Sequence, residues 1–193
     1  MTDSHDRPVL SALLTRRSVR PRRLQQPGPD ADSLDRIVSA GLRGIDHGGL
    51  RPWRLLLIDD RQRLGDAFAA IAASQRPGAD TERQDRARER ALAGPVLLAV
   101  IACLQADHAE VPEREQWIAI GAALQQMLLA ADALGFAGSV LSGRKTEAIA
   151  LHRTLELTDR EQLVGFLTLG TPAEPQRPPP PALDPRARWS RWP

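Results

Sequence analysis

The chain has 193 residues, enough for one ordinary domain or two small ones, and a 42% hydrophobic content that supports a buried core. Twenty-six basic residues against 24 acidic ones leave a net charge of +2, which argues against a general nucleic-acid binder. Lys145 is the only lysine, so the pI near 9.4 reports arginine, which does not deprotonate. The single cysteine, Cys103, excludes a disulfide framework and any zinc site built on paired thiolates.

Met1 to Asp6 is polar and lacks the apolar stretch of a secretory signal, which points to a cytoplasmic protein. Val9 to Leu14 reads as a short helix running into an arginine cluster, Arg16, Arg17, Arg20, Arg22 and Arg23, where Pro21 stops any helix. Asp30 or Asp32 is placed to cap a helix carried by Leu34, Ile37, Val38 and Leu42. A glycine-containing loop from Gly44 to Pro52 follows, and Trp53 to Ile58 reads as the first strand. Arg61 to Ser74 and Thr81 to Leu92 are two helices.

Val96 to Cys103 is too uniformly apolar for a half-exposed strand and is expected in the sheet centre, with Cys103 as core filler. Glu113 to Leu134 is the longest helix, with Gly135 where a C-terminal glycine belongs. Gln125, Gln126 and Asp132 interrupt it too often for a membrane span. Its residues Ile118, Leu124, Met127, Leu128 and Leu134 suit either a dimer core or a buried helix of this chain. Phe136 to Leu141 is a strand, Thr146 to Leu155 a helix, and Gln162 to Leu169 the last strand.

From Pro172 the texture changes, with eight of the 16 prolines in residues 172–193. This segment is expected to be disordered or, given Trp189 and Trp192, an extended arm lying on a neighbour. The whole, residues 1–193, reads as a single domain of α+β (α/β three-layer) type. A mixed sheet of four to five strands is expected with helices on both faces.

The arginine cluster could cradle a phosphate or other planar anion, or be a solvated basic segment. Asp46 and His47, flanked by Arg43 and Arg51, could hold a general base or proton donor, or only a loop histidine bonded to backbone. His5, His108 and His152 have no metal spacing. No Gly-x-Gly-x-x-Gly after a strand, P-loop or Gly-x-Ser-x-Gly element occurs, so nucleotide-fold and serine-hydrolase chemistry lack support.

Four segments in order carry a resemblance. Leu14-Thr15-Arg16-Arg17-Ser18-Val19-Arg20 resembles the opening motif of the nitroreductase-like flavoproteins. Ala40 to Trp53, with Asp46-His47 ahead of Pro52-Trp53, resembles the second motif, in the form found in a short bacterial NAD(P)H nitroreductase subgroup. Gly135 to Gly143 and Val164 to Pro172 agree with two later segments, so the resemblance covers roughly residues 8 to 185.

That resemblance implies an interlocked homodimer with one FMN at each of two sites on the subunit interface. Arg16, Arg17 and Ser18 would hold the FMN phosphate and ribityl chain. Arg43 and His47 would reach the site from the partner, and Val140, Leu141 and Ser142 would line the flavin. The implied activity is an oxidoreductase with two half-reactions, reduction by NAD(P)H and re-oxidation by a nitroaromatic, quinone or similar acceptor, with the chemistry carried by FMN. The alternatives are a flavoenzyme with another redox substrate, or a protein that stores or senses flavin without NAD(P)H turnover. Arg51 stands where the family commonly has Asn or Gln, and Val140-Leu141 where the subgroup often has Trp-Arg. Both departures bear on the acceptor more than on FMN.

Overall fold

The computed structural model describes residues 8–75, 81–174 and 184–192. Helix α1 (Pro8–Thr15) leads into the arginine segment, and α2 (Ala31–Gly41) starts where the Asp30 side chain accepts from the Ser33 amide. The cap on α3 (Arg61–Ser74) is Asp60, which accepts from the Arg63 amide. Such caps satisfy amide groups that the first helical turn cannot. Helix α4 (Thr81–Leu92) packs antiparallel to α3, and α5 (Glu113–Ala133) is the longest helix. Gly135, at φ 84°, turns the chain out of α5.

Among the described residues five strands form the sheet: β1 (Leu24–Gln25), β2 (Trp53–Leu57), β3 (Val96–Cys103), β4 (Ala137–Leu141) and β5 (Glu161–Pro172). The β5 strand is the spine. It pairs with β3 on one edge and β4 on the other, takes β1 at its far end, and β2 lies outside β3. Every pairing is antiparallel, which corrects the expected mixed sheet. The reason is parity. Two helices, α3 and α4, lie between β2 and β3, so the chain reverses three times and re-enters against β2. Strands β3 and β4, joined through α5 alone, run the same way with β5 between them.

The sheet separates two apolar layers. Against one face α5 and α2 bury Ile37, Ile120, Ala123, Met127 and Ala131 over Leu98, Val100, Ala102, Leu167 and Leu169. Against the other, α3, α4 and α6 (Ile149–Thr154) bury Leu64, Ile71, Ala91 and Leu151 over Leu97, Ala99 and Phe166. Strand β3 is buried on both faces, as its composition demands. Met127 and Leu128 of α5 serve this chain's own core, whereas Ile118 is 56% exposed.

Several details depart from expectation. The helix expected over Thr146 to Leu155 is a 3-10 turn, Arg144–Glu147, then α6, separated by extended Ala148. Strand β1 is too short to leave a pattern. Cys103 is half-buried at the end of β3 rather than in the core, its Sγ 3.8 Å from the Glu161 carboxylate. The chain stays tied to the sheet past Pro172, with the Ala173 amide donating to the Arg23 carbonyl. The proline run Pro178 to Pro181 lies outside the described residues. Trp189 and Trp192 beyond it are exposed. Among the described residues, no helix is long and apolar enough to cross a membrane.

Candidate functional site

The arginine segment is held against the sheet by its backbone. After α1, residues 16 to 18 form no helix or strand, and the Val19 amide then donates to the Gly138 carbonyl of β4 at 3.0 Å. A 3-10 turn, Pro21–Arg23, then feeds β1 onto the end of β5. This route sets the first and third sequence motifs side by side. Arg16 and Arg17 are half-buried and Ser18 is exposed. Arg22 pairs with Glu89 and Arg23 with Glu174, both exposed pairs that contribute little to stability.

Beside this segment lies a cavity of about 1120 Å³. Leu97 of β3, Phe166 of β5 and Leu141 of β4 form its apolar floor, with Phe68 of α3 and Leu151 of α6 beside them. Phe68 meets Phe166 edge-on, 5.7 Å between ring centres, which stiffens that wall. The rim is cationic: Arg20, Arg22 and Arg23 on one side, Arg90, Arg144 and Lys145 on another, with no carboxylate in the lining among the described residues. Burial, then the neighbouring Arg90 and Arg83, push the Lys145 ammonium below the usual lysine range. Ser142 and Gly143 lead the chain out of β4 along the wall.

The corner that carries Arg90 and Leu97 into the cavity is built by Arg61. Its guanidinium donates to the carbonyls of Ile58, Ala91, Gly94 and Pro95 at 2.8–3.4 Å, tying the end of α4 to the start of β3. Burial lowers its pKa. On the same sheet face as the floor, Ser139 and Thr168 face each other across β4 and β5. Both hydroxyls are buried without a hydrogen-bond partner among the described residues. At Gly138 the strands approach so closely that a Cβ would come within 2.3 Å of the Thr168 carbonyl oxygen.

The expected site residues divide into three groups. Leu141 and Ser142 line the cavity. Val140 points to the opposite face and packs on the α5 core, as strand alternation requires. Arg16, Arg17 and Ser18 lie next to the cavity along β4 but do not line it. Arg43 and His47 are apart from it, in the loop pressed on the α5 side of the sheet. There a Cβ on Gly44 would meet the Ala123 amide nitrogen at 3.0 Å. His47 Nδ1 lies 2.6 Å from the Glu115 carboxylate, and Asp46 accepts from the Arg51 amide at 2.7 Å to close the loop.

Arg90, Arg144, Lys145 and the aromatic wall escaped the sequence reading. The sole lysine, next to an arginine just after a strand, is the one signal that could have drawn attention. Nothing local marks Arg90. Among the described residues, no group of three or more His, Cys, Asp or Glu could hold a metal.

This arrangement has relatives. The nitroreductase family profile matches residues 13–171. The Escherichia coli (strain K12) protein provisionally named NAD(P)H nitroreductase YdjA is 35% identical over 168 residues, 85% of this chain and 88% of that protein. A nitroreductase-like family protein from Bacillus cereus superposes with a TM-score of 0.79 at 20% identity, over 96% of both chains. An FMN-dependent nitroreductase from Clostridium difficile R20291 superposes with a TM-score of 0.62 at 19% identity, over 89% of this chain and 92% of the other. By the match over residues 13–171 and the identity to the Escherichia coli protein, this chain belongs to the nitroreductase family.

Proposed function

We propose that this chain is an FMN-dependent NAD(P)H oxidoreductase of nitroreductase type, acting on nitroaromatic, quinone or similar acceptors. The observation that carries the reading is the cavity at the end of β4, which joins an apolar floor to a cationic rim. FMN has those two parts, a flat ring and a phosphate dianion, and the donor set suits both. Leu141 and Ser142 would bound the ring, with Val140 holding β4 to the core behind them. Arg16, Arg17 and Ser18 would hold the phosphate and ribityl chain. When bound, FMN supplies the electron transfer between NAD(P)H and the acceptor. The protein's own part is to orient the ring, exclude water with Phe68 and Phe166, and place positive charge nearby.

Arg43 and His47 enter this reading through a second copy of the chain. Within one chain they sit on the α5 side, so a homodimer would bring them to the cavity of the other subunit. Exposed apolar residues support such a pairing: Val9, Leu13 and Leu14 on α1, Trp117 and Ile118 on α5, and Ile45 in the His47 loop. The chain is read as one domain, cytoplasmic. The test is an absorbance spectrum of the purified protein before and after anaerobic NADPH or NADH. Flavin bands that bleach support the proposal; a protein that is colourless and takes up no FMN overturns it.

A further inference from the structure

The cations on the cavity rim fall into two groups that come from different parts of the chain. Arg20, Arg22 and Arg23 continue directly from Arg16-Arg17-Ser18, and two of them are already engaged with Glu89 and Glu174. The second group comes from elsewhere: Arg90 from the last turn of α4, Arg144 and Lys145 from the 3-10 turn after β4. None of these three has a carboxylate within ion-pair distance among the described residues. Elsewhere on α4, Arg86 pairs with Glu82 and Arg88 with Asp66 and Asp85, and on the neighbouring α3 Arg63 pairs with Glu156.

Like charges brought together around a cavity without counter-charge repel, unless an anion joins them. The Lys145 pKa is lowered first by burial and then by Arg90 and Arg83. One phosphate dianion cannot neutralise both groups. The volume, about 1120 Å³, is also more than a single drug-sized ligand needs.

We propose that Arg90, Arg144 and Lys145 form a second anion subsite that receives the 2′-phosphate of the nucleotide donor, so that the protein selects NADPH over NADH. This rests on the flavin reading above, which gives the FMN phosphate to Arg16, Arg17 and Ser18, the segment that runs on into the first group. The chemistry of the donors favours a terminal phosphomonoester over a pyrophosphate bridge. Pyrophosphates are commonly cradled by backbone amides at a helix N-terminus, whereas here the donors are side-chain cations, two guanidinium forks and an ammonium. They suit a compact dianion approached from several sides.

The test is an equilibrium titration of the FMN-loaded protein with 2′,5′-ADP and 5′-AMP, neither of which can reduce flavin. The expected result is that 2′,5′-ADP binds about tenfold tighter or more, with the gap narrowing as salt rises. In Arg144→Gln/Lys145→Gln, and separately in Arg90→Gln, the gap shrinks to within about twofold, and the NADPH/NADH ratio of kcat/KM falls in step. Equal affinity for the two nucleotides in the unaltered protein overturns the proposal. So does a variant that keeps the gap, or one that loses FMN affinity in proportion, which would assign these cations to the flavin phosphate. Failure to take up FMN is a different result and sinks the flavin reading. The same titration of the apoprotein then decides the 2′-phosphate subsite by itself.

Discussion

The two faces of the sheet treat their polar groups differently. On the α5 face the buried Gln116 side chain is fully engaged, donating to the carbonyls of Gln105 and Val111 and accepting from the Gln105 amide. The loop on that side is closed by Asp46 on the Arg51 amide and by His47 on Glu115. On the cavity face the Ser139 and Thr168 hydroxyls have no partner, and Arg90, Arg144 and Lys145 have no counter-ion among the described residues. Unmet polar groups cost stability, so a face that keeps them serves something besides folding. The α5 face is complete as structure, whereas the cavity face keeps cations that the proposed anionic ligand would engage.

The largest expected effect comes from breaking the β4–β5 pairing behind the cavity at its tightest point. Gly138→Ala drives a methyl group against the Thr168 carbonyl, forcing β4 off β5, and should cost about 3 kcal/mol or more. Urea unfolding measures the loss, and flavin uptake should fail with it. A second substitution separates ligand from fold. Arg16→Gln leaves the strands alone and should weaken FMN binding by about tenfold to a hundredfold, read by fluorescence titration, with the circular dichroism spectrum unchanged.

The completed face gives smaller effects. His47 is 59% exposed, so losing its bond to Glu115 should change stability by less than about 1 kcal/mol. If a homodimer carries it to the other subunit's cavity, His47→Ala should nonetheless weaken FMN binding or shift the flavin potential. An unchanged spectrum, affinity and potential would remove His47 from the site.

The smallest effect concerns a pair remote from the cavity. Arg54 beside Glu161 holds that carboxyl down at about 2 against an ordinary 4.5. The carboxylate is the stabilising form, so the contribution is complete above pH 4.5 and fades as pH falls toward 2. Glu161→Gln should lower the denaturation midpoint at neutral pH, and its deficit should shrink steadily below pH 4.5.

Legibility followed the range of the interactions involved. The bounds of α3, α4 and β3 could be read because periodicity, caps and an unbroken apolar run are local signals. Helix α6 was misread because Ala148 breaks the pattern with a backbone angle, not a composition. The sheet direction depends on the parity of connecting helices, a topological fact that composition does not carry. Strand alternation, applied to Val140-Leu141, would have sent the two side chains to opposite faces, as they are. The family motifs located Leu141 and Ser142 and the segment beside them. Arg90 and Lys145 are 55 positions apart and meet only through the fold. His47 and Glu115 meet across 68 positions.

The position of FMN in a crystal structure of the loaded protein tests the central claim most directly. The ring is expected in the cavity, bounded by Leu141 and Ser142, with the phosphate toward Arg16, Arg17 and Ser18. A second copy of the chain should close the site with its Arg43 and His47. FMN bound elsewhere, or an empty cavity at saturating FMN, would contradict it.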